Sequence, residues 1–559
     1  MNLSVTRFFP ARFGGIRRYL SATVCLVLMM NTEGLLSETL YNGIELPVPW
    51  PPNHGEPTGE PMPVPYLDNP PEVIPIDVGR QLFVDDFLID DTSLERTFHA
   101  ARMHPNNPVL DMPSYSGGLW YDSSEGVFKN WHNARHGVGY ATSEDGIHWE
   151  KPELDVVEGT NLVLEHTDPW EPGKYFSCDT TSVWIDYEES DPERRYKLFL
   201  TYLWPNNIND FFFSLLYSAD GIHWSEPVVT SWRHVGDHTN AHYNPFRKLW
   251  VANIRYHWGS DGRCRAYLEN RDPEKLTWAS SEAREGGIVP WLAADRLDPH
   301  HPKSEFSHIR PQLYHFDAIA YESLMLGFFS VHQGPPNEES HRLRIPKRNE
   351  VVPGYSRDGF HFHRPNRTPL FKANEERGAW NWGNVQSVGG GCIVVGNELY
   401  LYYNGVGRAE DGGKSGRTTG LAVLRRDGFA SMGSTRDEGS LITRPVRFSG
   451  KHLFVNADCD QGELRVEVLD RNGDVIAPFT KENCEVIRSD ETLRRVNWEG
   501  EADLGGLAGK PVRFKFYLRL GELYAFWVSP DETGASNGYV GAGGPGYTGF
   551  ADTGGSTNL

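Results

Sequence analysis

Five times along the chain a turn built on aspartate leads into an aromatic or apolar residue: YATSEDGIHW (140–149), LYSADGIHW (216–224), ENRDPEKLTW (269–278), GYSRDGFHF (354–362) and VLRRDGFASM (423–432). A recurring unit constrains the fold more than any single motif, because each copy must bury its apolar face against its neighbours. The aspartates Asp145, Asp220, Asp272, Asp358 and Asp427 are separated by 75, 52, 86 and 69 residues. That is long for one hairpin and suits a four-stranded sheet with elaborated loops. Asp-Gly flanked by alternating apolar residues is a favoured two-residue hairpin turn, its glycine taking the positive φ that other residues resist.

Strand-like runs precede each turn: GGLWYD and VFKNWH, SVWIDY and YKLFLTYL, HYNPFRKLWVANIR, AIAYESLMLGFFSVH, and CIVVGNELYLYYNG. Each unit therefore reads as strand, strand, strand, turn, strand. The expected fold class is all-β, a five-bladed β-propeller over residues 77–438. RQLFVDDFLID (80–90) is expected to pair with the last blade and close the ring, which removes exposed sheet edges. From Gly439 the pattern changes to short alternating runs (HLFVNAD, GELRVEVLD, PVRFKFYLRL, LYAFWV). These predict a small β-sandwich over 439–529 with its own core.

The flanks differ in composition. Residues 1–34 read as an export signal, with Arg7, Arg12, Arg17 and Arg18 ahead of the apolar stretch Tyr19 to Met30, which is short for a bilayer span. The expected location is secreted or periplasmic, with no membrane contact after cleavage. Residues 35–76 are expected to be a linker, since 45–75 hold 11 of the 38 prolines. Residues 530–559, with nine glycines and few aliphatic side chains, are expected to be disordered.

The chain carries 54 Lys+Arg against 75 Asp+Glu, a formal charge of −21. Loss of residues 1–34 removes four Arg and one Glu and takes it to −24. That balance argues against nucleic acid or an anionic membrane as the partner. Arg342, Arg344, Lys347 and Arg348 either hold a local anion or belong to a solvated loop. Five cysteines remain after cleavage, an odd number without a C-x-x-C pair, so no full disulfide framework and no zinc signature is expected. Buried thiols are the preferred reading; only Cys459 and Cys484 suggest a bridge.

In a propeller, residues just ahead of the inner strands converge on one funnel. The acids so placed are Asp179, Asp237, Asp317 and Glu322, the candidate catalytic carboxylates. Asp86, His238, Tyr115, Gln386 and Trp382 are the candidate substrate-binding residues. Glycosidic cleavage needs two carboxyl groups, one protonated and one ionised, and a third can keep the acid's pKa raised. Each residue also has a structural reading: Asp179 as a turn cap, Asp237 in an Asx-turn, Asp86 after a strand, Glu322 at an outward edge, His238 as a packed histidine. Trp120, Trp131, Trp184, Trp380 and Trp382 offer either sugar-stacking faces or core.

The order FVDDFLID, NPVL, YATSEDGIHW, LYSADGIHW, YESLMLGFF and LAVLRRDGFASM, followed by a sandwich, resembles secreted proteins with a domain similar to the N-terminal propeller of glycoside hydrolase family 32. That group lies in the furanosidase superfamily with families 43, 62, 68 and 117. The resemblance spans about residues 77–527. It implies a five-bladed propeller whose funnel holds three carboxylates: nucleophile or base, general acid, and transition-state stabiliser. The W-M-N-D-P-N-G, R-D-P and E-C-P blocks of fructan-active enzymes are absent, so their residues do not carry over. The expectation is an exported glycosidase acting on a poly- or oligosaccharide without an organic cofactor; the rival is a non-catalytic carbohydrate-binding propeller.

Overall fold

The computed structural model describes residues 37–114, 118–134, 137–165, 177–203, 211–232, 235–258, 262–278, 287–408, 414–500 and 503–554. The expected export segment and Tyr115 lie outside the described residues. Almost every element is a strand. No described helix is long and apolar enough to cross a membrane.

Five antiparallel sheets follow one another along the chain, beginning with Leu119–Asp122, Ser177–Ile185, Asn240–Asn244, Gln312–Glu322 and Val385–Val395. Each of these inner strands touches the next, and Val385–Val395 returns to Leu119–Asp122, so the described strands form a closed ring, a β-propeller. In the fourth sheet the outer position is taken by single bridges, Tyr355 to His363 and Val351 to Phe371.

The repeated turn explains how the ring holds together. In the first copy Asp145 Oδ1 accepts from the N–H groups of Ile147 and His148, both at 2.8 Å, while its Oδ2 lies 2.7 Å from His148 Nδ1. Ser143 Oγ accepts from Gly146 N at 2.9 Å. The same bonds recur at Ser218, Asp220 and His223, and at Ser356, Asp358 and His361. The folded turn then offers a partner to the preceding sheet. Trp131 Nε1 donates to Gly221 O at 2.6 Å, Trp291 Nε1 to Phe360 O at 2.8 Å, and Tyr402 OH to Gly146 O at 2.8 Å. Tyr321 OH donates to Asp427 Oδ1 at 2.7 Å. The weakest copy departs for a visible reason: Asp272 caps a short 3-10 helix, Pro273–Lys275.

Ring closure differs from expectation. Arg102–Met103, not residues 80–90, pairs with Lys414–Arg425 and completes the fifth sheet. Residues 80–90 belong to the sandwich, where Gln81–Leu82 pairs with Gly521–Ser529 and Ile89–Thr92 with Gly439–Thr443. Glu95–Phe98 and Ala430–Ser434 also join it. The sandwich is therefore assembled from both ends of the propeller. Its core includes Phe83, Phe87, Phe514, Phe516 and Phe526. Cys459 and Cys484 are buried there as thiols.

Two flanking segments overturn their expectations. Within the proline-rich stretch, Leu40, Ile44, Leu46, Val64, Tyr66 and Ile74 are buried in the sandwich-side core, because apolar residues interleaved with the prolines give it something to bury. Asn42 Nδ2 ties it to Arg357 O at 2.8 Å. The glycine-rich tail crosses the trailing ends of the inner strands. Tyr539–Val540 pairs with Tyr321–Glu322, Ala542 N donates to Cys392 O at 2.7 Å, and Tyr121 N donates to Ala542 O at 2.9 Å. Its glycines are required by close approach: a Cβ on Gly541 or Gly544 would collide with the carbonyl of Cys392 or Val394. Beneath the tail a cavity of about 30 Å³, room for about one water, is lined by Trp120, Trp184, Ile319 and Tyr539.

Candidate functional site

Asp179 and Asp237, at the leading ends of their inner strands, and Asp317, midway along the next, are linked by hydrogen bonds and a ring contact. Asp179 sits at a bulge in Ser177–Ile185, where the ladder slips between Cys178 and Thr180. A bulge re-aims a side chain that would otherwise follow the strict alternation of a strand. Its Oδ2 accepts from Thr180 Oγ1 at 2.9 Å and from His238 N at 2.7 Å. Asn133 Nδ2 donates to its carbonyl at 2.8 Å. Three consecutive sheets thus fix this one residue.

Asp237 precedes the third inner strand, and His238 beside it holds φ 59°, which turns its N–H toward Asp179. Arg255 Nε lies 3.1 Å from Asp237 Oδ1 and Arg263 Nη1 lies 2.9 Å from Oδ2. Arg265, fully buried, donates from Nη1 to His238 O at 3.0 Å and from Nη2 to Tyr314 O. The two acids are driven in opposite directions. Burial lifts the Asp179 carboxyl above the usual carboxylate range, and the neighbouring Asp237 charge lifts it further. Burial also opposes the Asp237 charge, but the guanidinium groups of Arg263, Arg255 and Arg265 outweigh it and hold Asp237 below that range.

Asp317, on the fourth inner strand, is buried and held by three sheets. Ser387 Oγ donates to Oδ2 at 2.5 Å, His315 Nε2 lies 2.7 Å from the same oxygen, and Asn240 Nδ2 donates to Oδ1 at 3.0 Å. The His315 ring meets the His238 ring edge-on at 4.9 Å between centroids. Burial, then His315 and Arg265, keep His238 well below its usual pKa, so it stays neutral. A continuous path therefore runs from Asp179 through His238 and His315 to Asp317. Gln386 is buried beside it, its Nε2 donating to Asn384 Oδ1 at 3.2 Å and its Oε1 without a hydrogen-bond partner among the described residues.

The other candidates fall elsewhere. Glu322 lies five residues beyond Asp317 on the same strand, about 16 Å away and on the opposite face. It is fully buried against the sandwich and tail, accepting from Arg80 N at 3.0 Å and Ser536 Oγ at 2.7 Å, with Arg426 Nη2 at 3.2 Å. Burial raises its carboxyl above the usual range despite Arg80 and Arg426, and these fixed partners join Glu322 to the structure rather than to the funnel. Asp86 is exposed on the sandwich side and pairs with Arg96 Nη2 at 2.5 Å. Trp382 is buried, with the Arg377 guanidinium 5.6 Å from its ring. Trp120, Trp131 and Trp184 are core: Trp120 Nε1 donates to Val183 O at 2.6 Å and Trp184 Nε1 to Ala241 O at 3.0 Å.

His315, Asn240, Ser387 and the arginines of the third sheet were not legible as site residues. Asn240 and Ser387 act across sheets, which no local spacing records; H-x-D at His315 and Asp317 and R-x-R at Arg263 and Arg265 are signals that could have been used.

The chain matches no protein-family model. No curated protein matches it either. Among solved structures it is similar to an N-acetylgalactosamine deacetylase from F. plautii in complex with blood group B trisaccharide, at 13% identity over 63% of this chain and 95% of that one, TM-score 0.35. It is similar to an endo-1,4-beta-xylanase from Bacteroides thetaiotaomicron, at 10% identity over 56% and 91%, TM-score 0.36. A third is a family 117 glycoside hydrolase from Zobellia galactanivorans, at 11% identity over 59% and 92%, TM-score 0.32.

Proposed function

We propose that this chain is an exported glycosidase that cleaves a poly- or oligosaccharide in the funnel at the leading ends of the inner strands. The observation that carries the reading is the split pair. Asp179 is held toward its protonated form and Asp237 toward its ionised form, and the N–H of His238, next to Asp237, donates to Asp179. Two carboxyl groups pushed apart in this way suit an acid and its ionised partner. Asp179 gives its proton to the leaving oxygen, and Asp237, with its side chain 18% exposed, activates water or attacks the anomeric carbon. Asp317 is a positioning residue, fixing His315, and through it the His238 loop, which carries Asp237 and bonds to Asp179.

Kinship with family 32-type propellers rests on the run LAVLRRDGFASM, and export rests on the basic and apolar N-terminus. The test is a screen of the purified chain on aryl glycosides and diverse polysaccharides, with Asp179→Asn, Asp237→Asn and Asp317→Asn alongside. General acid–base catalysis contributes about 100- to 10,000-fold, so Asp179→Asn should lose activity on that scale. A wild type that cleaves while all three variants keep its rate would overturn the assignment.

A further inference from the structure

The cations around Asp237 exceed what the acids there neutralise. Arg255, Arg263 and Arg265 come from the third sheet, and Lys347 approaches from the fourth, its Nζ donating to Tyr314 OH at 3.0 Å and lying 4.7 Å from that ring. The Arg263 guanidinium lies 4.4 Å from the same ring, so Tyr314 carries a cation from each sheet. Four positive groups thus stand around Asp237, whose two carboxylate oxygens face Arg255 and Arg263, in a chain whose net charge is −21.

This concentration is not a buried structural knot. The Arg255 and Arg263 side chains are 23% and 18% exposed, and Lys347 is half-buried, so all three reach solvent. Arg265 Nε, on a fully buried side chain, makes no hydrogen bond among the described residues. The field is felt by neighbours on every side. His332 is pushed down to about 3 by burial, then by Lys347 and Arg263, and His257 is lowered by burial, then by Arg255 and Arg263. A protein that gathers like charges and leaves them open to water keeps them apart at a cost in stability, unless an anion joins them.

We propose that Arg255, Arg263 and Lys347 form an oxyanion subsite beside Asp237, which takes a sulfate ester or carboxylate carried by the sugar substrate. The inference rests on the carbohydrate reading of this pocket and narrows it to acidic glycans. Arginine suits the planar, two-oxygen face of such a group, and lysine supplies a point charge to the remaining oxygen.

Calorimetric titration of the full chain carrying Asp179→Asn tests the inference. The probes are a sulfated oligosaccharide, its desulfated form, a uronate oligosaccharide, and inorganic phosphate and sulfate alone. A charged glycan should bind at least about tenfold tighter than the neutral one, the worth of one charged hydrogen bond. Lys347→Met should remove most of that advantage while leaving neutral-glycan affinity unchanged, and Lys347→Arg should retain it. Equal affinity for charged and neutral glycans, or an advantage untouched by Lys347→Met, would overturn the subsite. Inorganic anions that bind as tightly as the charged glycan would assign the cations to a free ion and overturn it as well. Hydrolysis separates the two readings. A charged glycan bound in this way but not cleaved by the unmodified chain sinks the glycosidase reading and keeps the subsite. Neutral glycan cleaved with no charge preference does the reverse.

Discussion

Replacing Gly221 by alanine should damage the ring far more than the same change at Gly159. Both glycines have positive φ, +78° and +72°, so each alanine incurs about 1–2 kcal/mol of left-handed backbone strain. The surroundings differ. A Cβ on Gly221 would sit 2.5 Å from Trp131 Cζ2 and 3.1 Å from the Tyr196 ring, whereas one on Gly159 meets nothing within 4 Å. Trp131 is fully buried and its Nε1 donates to Gly221 O, so the indole has no room to withdraw without breaking that bond. Overpacking of this kind costs about 1–3 kcal/mol more. Gly221→Ala should therefore cost about 2–5 kcal/mol, against about 1–2 for Gly159→Ala. Urea unfolding followed by tryptophan fluorescence reads the difference, with unchanged slopes showing that the same surface unfolds. Equal midpoints for the two variants would refute the claim that the repeated turn joins one sheet to the next.

Further outcomes follow from the buried charges and the turns. Arg80→Met leaves Glu322 and Asp427 without their shared cation, 3.0 Å from Asp427 Oδ2, and should cost about 3–5 kcal/mol by the same unfolding assay. Glu322→Gln should lower stability while leaving the pH profile of activity in place, because Glu322 stands outside the funnel; loss of one limb of that profile would contradict this. The turn carboxylate Asp220 is opposed by burial but held down to about 2 by the His223 ring and by backbone N–H donors. Its folded value lies below its unfolded one, so its contribution is present above about pH 4 and is lost as pH falls toward 2. Asp220→Asn should flatten acid unfolding across that window, and an unchanged acid transition would count against the turn's role. For hydrolysis, the raised Asp179 and lowered Asp237 give kcat/KM a falling alkaline limb from the first and a falling acid limb from the second. Asp179→Asn should abolish the alkaline limb, and its survival would assign the acid elsewhere.

The parts of this molecule that were legible in the sequence are those fixed by local chemistry. Asp145, Asp220 and Asp358 form the same turn because the serine two residues before each and the histidine three residues after supply its partners. Asp179, Asp237 and Asp317 lie near one another because they stand on or just ahead of neighbouring inner strands. Gln81–Leu82 was misplaced because its alternating pattern suits a propeller strand and a sandwich strand equally, and pairing with Gly521–Ser529 is decided far away in the chain. The tail was misread because glycine composition records entropy but not the tight passage of Gly541 past Cys392. Glu322 was grouped with Asp317 by sequence, although an odd number of residues along a strand reverses the face. His315 stands two residues before its partner Asp317, a spacing the sequence does record, whereas Arg263 meets Asp237 only once the third sheet has folded.

The pairing of Asp179 with Asp237 is tested most directly by titrating both side chains in the intact chain with carboxyl-labelled aspartate and NMR detection. The account predicts that Asp179 takes up its proton above the ordinary range near pH 3.9 and Asp237 below it, and that Asp237→Asn brings Asp179 down. Two carboxyls that titrate together, or an Asp179 indifferent to the loss of its neighbour, would contradict it.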